Sequence, residues 1–266
     1  MRISSTRNPL VRYVRSLERG QVRRREGVYL AEGVRLVREA IQTGQAAPLV
    51  LYDPEQLSQS DSGSLLLADL PRWADRAVEV DRRALEAAAM TETPAGVVAV
   101  LRLPEPGDLS RHRGHAFGVV LDGLADPGNA GTLLRTADAA GVDCVAAVAG
   151  SVELFAPKVV RAGMGAHFRV PLYQGVQWDE LRDRLSGSTV VAASAREGAS
   201  VYRYEWPASA LLVIGSEARG LSREGYAAVE QWVHVPMRHG VESLNAAVAG
   251  SILIYAAVGH FLDRGD

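Results

Sequence analysis

The chain has 266 residues, of which 47% are hydrophobic and 23% are charged. This length and composition are typical of a globular protein with one large or two smaller domains. A single cysteine excludes an internal disulfide. The sequence contains no apolar leader and no 18-residue apolar span, so we expect neither secretion nor membrane insertion and predict a cytoplasmic location.

Positive charge is concentrated near the start of the chain. The net charge is −2, yet residues 1–40 contain ten arginines and four glutamates and carry +6, so the other 226 residues carry −8. An arginine-rich end can attract a phosphate backbone, although a solvated helical face explains the same charge equally well. The residues predicted here to contact RNA are Arg7, Arg23, Arg24, Arg25 and Arg35.

Residues 1–103 are predicted to form a mixed α/β domain. Val11, Val14 and Leu17 share one helical face, and the spacing from Val34 to Ile41 indicates a second helix. A polar tract is predicted to be a loop. The remaining predictions are strands at Leu49–Tyr52, Ala77–Val80 and Gly96–Leu101, a helix at Arg82–Ala89 and the loop at Ser58–Ser64.

Proline, glycine and charge crowd into residues 104–115, which we interpret as a linker to a second domain over residues 116–266. In this domain apolar strands alternate with helices, which indicates a parallel sheet covered on both faces, with ligands beyond the carboxyl ends of its strands. The strands are predicted at Phe117–Leu121, Val142–Val148, Thr189–Ala193, Leu211–Ile214 and Trp232–Val235, and the helices at Ala130–Ala140, Pro157–Gly163, Trp178–Leu185, Glu224–Glu230 and Ser243–Phe261.

The first candidate loop follows the strand that ends at Leu121. It reads D-P-G-N-A-G-T-L-L-R-T-A over residues 126–137, and its glycines allow a close approach of the backbone to a ligand. Asn129 is expected to be the N-cap of the following helix and Gly141 its C-terminal stop. Arg135 lies on a helix otherwise short of charge. A capped helix with one surface arginine accounts for the same pattern.

The second candidate loop follows the strand Leu211–Ile214 and reads G-S-E-A-R-G over residues 215–220. Its spacing is not that of the dinucleotide-binding G-x-G-x-x-G turn, which disfavours a nicotinamide cofactor. Two glycines around a carboxylate make a tight polar loop. An ion pair with Arg219 is an equally good interpretation of Glu217.

The third candidate loop precedes a long apolar helix. It contains P-M at residues 236–237 and E-S-L-N at residues 242–245, and either Ser243 or Asn245 can cap the helix. Small residues at the start of this helix suit close packing on another helix or subunit. A capped core helix explains Ser243 but not the loop before it.

Together and in this order, the three strings resemble the motifs of the SpoU (TrmH-type) RNA 2′-O-ribose methyltransferases of the SPOUT superfamily. The strings are residues 126–137, I-G-S-E-A-R-G-L at 214–221, and V-P-M to E-S-L-N at 235–245. The resemblance covers roughly residues 117–260. The first half of the chain, through Glu32-Gly33 and Thr93–Gly96, is similar to the substrate-binding domain of ribosomal-RNA members.

The resemblance implies a C-terminal trefoil knot, a homodimer formed through that domain, and S-adenosylmethionine as cofactor, with no metal. It further implies that Arg135 is catalytic, and we expect it to bind the target phosphate while the phosphate or a water takes the proton, because arginine stays protonated. The implied cofactor contacts are Gly215, Val235, Met237, Ser243 and Leu244, and the residues implied to position Arg135 and the ribose are Asn129, Glu217, Ser243 and Asn245.

The resemblance also bears on the substrate. A separate N-terminal domain favours large-subunit ribosomal RNA, because the transfer-RNA members have short terminal helices instead. Three alternatives stay open: a transfer-RNA ribose methyltransferase, a non-catalytic RNA-binding protein with a methyltransferase-like shell, and a nucleotide-cofactor enzyme acting on a small metabolite.

Overall fold

The computed structural model describes residues 2–105, 107–112, 117–238 and 241–264. The chain forms two compact units. The first comprises Met1–Glu105 and Phe155–Phe168, and the second comprises Pro106–Leu154 and Arg169–Asp266. No helix among the described residues is long and apolar enough to cross a membrane.

Helices and strands alternate along most of the chain. The helices are α1 (Pro9–Ser16), α2 (Gly20–Glu26), α3 (Val34–Gln42), α4 (Pro54–Leu57), α5 (Asp61–Trp73), α6 (Arg82–Ala88), α7 (Pro127–Ala140), α8 (Pro157–Gly163), α9 (Trp178–Arg184), α10 (Arg223–Ala228) and α11 (Ala246–Arg264). The strands are β1 (Val28–Glu32), β2 (Leu49–Tyr52), β3 (Ala77–Glu79), β4 (Val97–Arg102), β5 (Phe117–Asp122), β6 (Cys144–Val148), β7 (Leu172–Val176), β8 (Thr189–Ser194), β9 (Ala199–Ser200), β10 (Ala210–Gly215) and β11 (Gln231–His234).

The first unit is a four-stranded mixed sheet in the order β1-β4-β2-β3. β4 pairs antiparallel with β1 and with β2, while β2 and β3 are parallel. The predicted helical face of α1 is confirmed, because Val11, Val14 and Leu17 are buried in one apolar cluster with residues of the sheet and of α6. The predicted strands of this unit are also present.

The prediction of a loop at Ser58–Ser64 is wrong. Helix α5 begins at Asp61, and the hydroxyl of Ser60 accepts a hydrogen bond from the backbone N–H of Gly63 at 3.1 Å. Serine, aspartate and glycine therefore mark the start of a helix here, whose Leu66 and Leu70 are fully buried. The sequence reading also missed α2 and β1.

The segment Phe155–Phe168 falls within the predicted second domain, residues 116–266, but it packs with the first unit. The ring of Phe155 meets the ring of Tyr29 in β1 edge to face, with centroids 5.1 Å apart. Burial raises the pKa of the Tyr29 hydroxyl far above its ordinary value. Part of the expected linker also packs, since Leu109 is buried in the core of the second unit. Pro106 and residues 113–115 of that linker lie outside the described residues.

The second unit contains the predicted parallel sheet, with seven strands in the order β7-β6-β5-β10-β8-β11-β9. All five predicted strands are present. β7 and β9 were missed, because Gln174 and Gly175 interrupt the apolar pattern of β7 and β9 has only two residues. Neighbours β5 and β10 are far apart in the chain, and their last residues, Asp122 and Gly215, pair. Ligands of such sheets bind beside strand ends of this kind.

Helices α7 and α11 pack closely against each other. A Cβ atom on Gly250 would lie 2.6 Å from Cδ2 of Leu133, so a larger residue there would require the Leu133 side chain to move. The hydroxyls of Thr136 and Ser251 are hydrogen-bonded at 2.9 Å. Cys144 is buried in the core as expected.

The predicted caps of these two helices are only partly correct. The N-cap of α7 is Asp126, whose carboxylate accepts from the backbone N–H of Asn129 at 2.7 Å, so the prediction of Asn129 as N-cap is wrong. The helix begins three residues earlier than predicted because Pro127 suits its first position. Gly141 ends α7 in the left-handed conformation, as predicted. Asn245 caps α11, accepting from Ala247 N–H at 3.0 Å.

Candidate functional site

A cavity of about 590 Å³ lies at the carboxyl ends of β8, β10 and β11, against the first turns of α11. All five residues predicted to contact the cofactor line it, as do Glu217 and Asn245. The structure thus brings the second and third candidate loops to one place. These lining residues are Gly215, Glu217, Val235, Met237, Ser243, Leu244 and Asn245.

The wall after β10 is a tight turn. The backbones of Ser216 and Gly220 exchange two hydrogen bonds, of 2.9 and 2.8 Å, and Gly220 has φ +68°. A Cβ atom on Gly215 would lie 2.8 Å from the carbonyl carbon of Gly220. A larger residue at position 215 must therefore displace the turn that forms the cavity wall.

A buried carboxylate fixes the far end of this loop. Asp122, at the end of β5, is only 1% exposed, and its Oδ2 accepts from the backbone N–H of Ser222 at 2.9 Å and from its hydroxyl at 3.0 Å. The Ser222 hydroxyl accepts in turn from Gly225 N–H and caps α10. Asp122 thereby joins β5 to the loop after β10.

Sequence reasoning missed Asp122 as a functional candidate. Its available signal was a single acidic residue directly after an apolar strand, which an ordinary exposed strand end produces as well. Oδ1 of Asp122 is buried with no hydrogen-bond partner among the described residues. Ser222 therefore supplies the hydrogen bonds that hold the Asp122 carboxylate inside the protein. We infer that removing this carboxylate loosens the loop after β10.

Three of the residues predicted to act in catalysis are joined by hydrogen bonds. The side-chain amide of Asn129 donates to Glu217, and the amide of Asn245 donates to Oδ1 of Asn129 at 3.0 Å. The first candidate loop therefore meets the other two beside the cavity. Glu217 accepts from Asn129 and forms no ion pair with Arg219 in the described part of the chain, so the alternative interpretation of Glu217 is wrong.

Arg135 is not part of this hydrogen-bonded group. It is exposed on α7, does not line the cavity, and its guanidinium makes no hydrogen bond or ion pair with any described residue. Six residues of helix separate it from Asn129, about 9 Å along the axis. The buried face of α7 is formed by Ala130, Leu133, Leu134 and Ala137, which leaves Arg135 on the solvent side.

Another part of the cavity is formed by residues that no motif indicated. The hydroxyl of Ser194 accepts from the backbone N–H groups of Arg196 and Glu197, at 3.2 and 2.9 Å, and so shapes the loop after β8. The rings of Tyr226 and Trp232, 5.4 Å apart, also line the cavity. The sequence offered no signal for them, because aromatic residues in such positions usually belong to the core.

The predicted RNA-binding arginines of the first unit differ in exposure. Arg7, Arg24, Arg25 and Arg35 are exposed. Arg23 is only 2% exposed, and its Nη1 donates to the carbonyls of Leu17 and Glu18 at 2.6 and 2.7 Å. The prediction that Arg23 contacts RNA is wrong, because its guanidinium is buried and donates to backbone carbonyls inside the protein.

Comparison with known proteins adds two family matches. The model of the SpoU rRNA Methylase family matches residues 116–255, and that of the MRM3-like substrate binding domain matches residues 8–99. The two matches cover most of the chain, in the same order as the two predicted domains. Among residues 116–255 are all three candidate loops.

Individual relatives agree with these matches. The chain is 29% identical to a 23S rRNA (guanosine(2553)-2'-O)-methyltransferase of Bacillus subtilis, over 95% of this chain and 97% of the relative. It is 30% identical to the mitochondrial rRNA methyltransferase 3A of Danio rerio over 88% of its own length, but spans only 64% of that relative.

A solved structure is also similar. The SpoU methyltransferase AviRb from Streptomyces viridochromogenes, in complex with the cofactor AdoMet (S-adenosylmethionine), matches with a TM-score of 0.86 and 27% identity. The match covers 96% of this chain and 99% of AviRb.

Proposed function

The chain belongs to the SpoU rRNA methylase family, and we propose that it transfers a methyl group from S-adenosylmethionine to a ribose 2′-hydroxyl of large-subunit ribosomal RNA. The observation that carries the proposal is the meeting of the three loops. The cavity bounded by Gly215 and Leu244 lies beside the hydrogen-bonded group of Asn129, Glu217 and Asn245. A methyl donor and an acceptor ribose need two such adjoining sites.

The cavity suits the proposed cofactor. Its volume of about 590 Å³ accommodates a molecule of this size, and its lining combines polar loops with apolar residues of α11. Gly215, Val235 and Leu244 would hold the cofactor through backbone groups, with Met237 and Ser243 beside them. When bound, S-adenosylmethionine supplies an electrophilic methyl group, so the residues around it need only align and deprotonate the acceptor.

The polar residues beside the cavity would orient the ribose. Asn129 and Glu217 hold each other in place, and Asn245 is fixed by both Asn129 and the first turn of α11. Arg135 would bind the phosphate next to the target ribose from the exposed side of α7. Its positive charge would make the hydroxyl easier to deprotonate, and the phosphate or a water would accept the proton.

A homodimer through the C-terminal domain is the expected assembly. Val248 and Tyr255 of α11 are 48% and 54% exposed and lie seven residues apart, on one face of the helix. Exposed apolar side chains on one helix face favour association with a second copy. Light scattering tests this, and a monomer would contradict it. The trefoil knot and the cytoplasmic location stay predictions.

The central test is a methylation assay with the purified chain, S-adenosylmethionine and three RNAs: large-subunit ribosomal, small-subunit ribosomal and transfer RNA. We expect one 2′-O-methylated nucleotide in the large-subunit RNA. Methylation of transfer RNA alone would replace our substrate by the alternative one. If no RNA is methylated, calorimetric titration with S-adenosylmethionine decides whether the chain is a non-catalytic RNA-binding protein.

A further inference from the structure

A second depression lies in the first unit, along helix α1. It has a volume of about 640 Å³, and none of its lining residues belongs to the proposed methyltransfer site. We call it the α1 cleft. It is lined by Thr6, Pro9, Val11, Arg12, Tyr13, Arg15, Ser16, Glu18, Arg19 and Ala87.

The α1 cleft is positively charged. Three arginines and one glutamate line it. Arg15 already has partners, because it donates to the carbonyl of Ala89 at 2.6 Å and lies 3.4 Å from the carboxylate of Glu18. The guanidinium groups of Arg12 and Arg19, in contrast, form no hydrogen bond or ion pair within the described residues. Two exposed cations are thus left available to a ligand.

The backbone that carries these two arginines is anchored in the core of the first unit. Val11 and Val14 anchor α1 in the core, and the half-buried ring of Tyr13 packs against the same cluster. Burial is the main reason why the pKa of Tyr13 is raised. Arg23 fastens the turn after α1 through the carbonyls of Leu17 and Glu18, and Arg19 is the next residue. The buried Arg23 therefore fixes the place of the exposed Arg19.

We propose that the α1 cleft binds the phosphate backbone of the RNA substrate through Arg12 and Arg19. This inference rests on the proposed function, because it assigns a second RNA contact outside the methyltransfer site. Guanidinium groups are the side chains best suited to phosphate oxygens, which they can bind through two parallel hydrogen bonds. An open cleft whose guanidinium groups are unpaired among the described residues, on an anchored backbone, suits an extended polyanion, and phosphate contacts position an RNA without reading its sequence.

The test compares three forms of the full chain: wild type, the double variant Arg12→Ala/Arg19→Ala, and the control Arg72→Ala. Arg72 is an exposed arginine of α5 in the same unit, outside the cleft. RNA affinity is measured over a series of salt concentrations. Two lost phosphate contacts should reduce the slope of log affinity against log salt by about 1.4–1.8 and weaken binding on the order of tenfold or more at low salt.

The double variant should raise the KM for RNA, with kcat and the affinity for S-adenosylmethionine near wild type. Arg72→Ala should match wild type, and Arg12→Lys/Arg19→Lys should restore most of the salt slope. Equal affinity and slope in the double variant and wild type would overturn the inference, and so would an equal loss in Arg72→Ala. If the wild type binds RNA without methylating any, the proposed function fails while the cleft can still be tested by binding.

Discussion

The cavity of the second unit and the α1 cleft of the first unit are built from different parts of the chain. The cavity walls are backbone turns, strand ends and a buried carboxylate, as at Gly215 and Asp122. The α1 cleft offers exposed guanidinium groups, that of Arg12 on α1 and that of Arg19 directly before α2. We therefore expect substitutions in the cavity to abolish or strongly weaken cofactor binding. Substitutions in the α1 cleft should weaken RNA binding by a smaller amount that depends on the salt concentration.

The largest effect is expected from Gly215→Val. Its side chain must enter space occupied by the backbone of Gly220, so the turn is displaced and the cavity wall is lost. Calorimetry should detect no binding of S-adenosylmethionine, a loss on the order of a thousandfold or more when the ligand site is blocked. The control is Gly259→Ala on α11, where nothing lies within 4 Å of the added Cβ. Normal cofactor binding by Gly215→Val would mean that the cavity is not the cofactor site.

Arg135→Ala should have the next largest effect, chiefly on the rate of methyl transfer. We expect kcat to fall on the order of a hundredfold, because a charge that stabilises the transition state is removed. Affinity for S-adenosylmethionine should be unchanged, since Arg135 does not line the cavity. The control is Arg182→Ala, an exposed arginine of α9. Wild-type turnover in Arg135→Ala would remove this residue from the mechanism.

Asp122→Asn should have a smaller effect, on cofactor binding. The two hydrogen bonds to Ser222 lose their charge assistance, which is worth about 1 kcal/mol and corresponds to roughly fivefold weaker binding. The KM for S-adenosylmethionine should rise while kcat at saturation stays near wild type. Asp138→Asn, which alters a carboxylate paired with Arg169 on the surface of α7, is the matched control. A fall in kcat without a change in KM would contradict a positioning role for Asp122.

Some parts of the second unit could be predicted from the sequence and others could not. The five main strands of the second unit were predictable because buried parallel strands are continuous apolar runs, as in Phe117–Asp122. The cavity loops were predictable because the three strings, in their order along the chain, resemble the motifs of the SpoU family. β7 was not, because an edge strand with Gln174 and Gly175 carries no such run.

Exposure of individual side chains was not predictable. Arg23 and Arg24 are neighbours in one arginine-rich run, yet Arg23 is buried against two carbonyls just after α1 and Arg24 is exposed. The sequence of the run does not distinguish the exposure of the two side chains, because that exposure depends on how α1 and α2 pack together. Asn129 was likewise assigned to a cap that Asp126 provides, because both residue types cap helices well. Tertiary contacts decided both cases.

The smallest effect is expected on the labelling of the Cys144 thiol, which lies in the second unit, when the α1 cleft of the first unit is altered. Burial, followed by the charge of Asp143, raises the pKa of the Cys144 thiol to about 12, so at pH 8 the folded protein holds it neutral and shielded. A thiol reagent should label native protein very slowly and denatured protein quickly. Because folding favours the protonated thiol, its contribution to stability is present below the thiol's ordinary pKa and is lost as pH rises through about 12.

The double variant Arg12→Ala/Arg19→Ala should leave the rate of Cys144 labelling in the native protein unchanged. Faster labelling would mean that the α1 cleft also supports the folding of the second unit, and the contrast between the two regions would then be weaker than we propose.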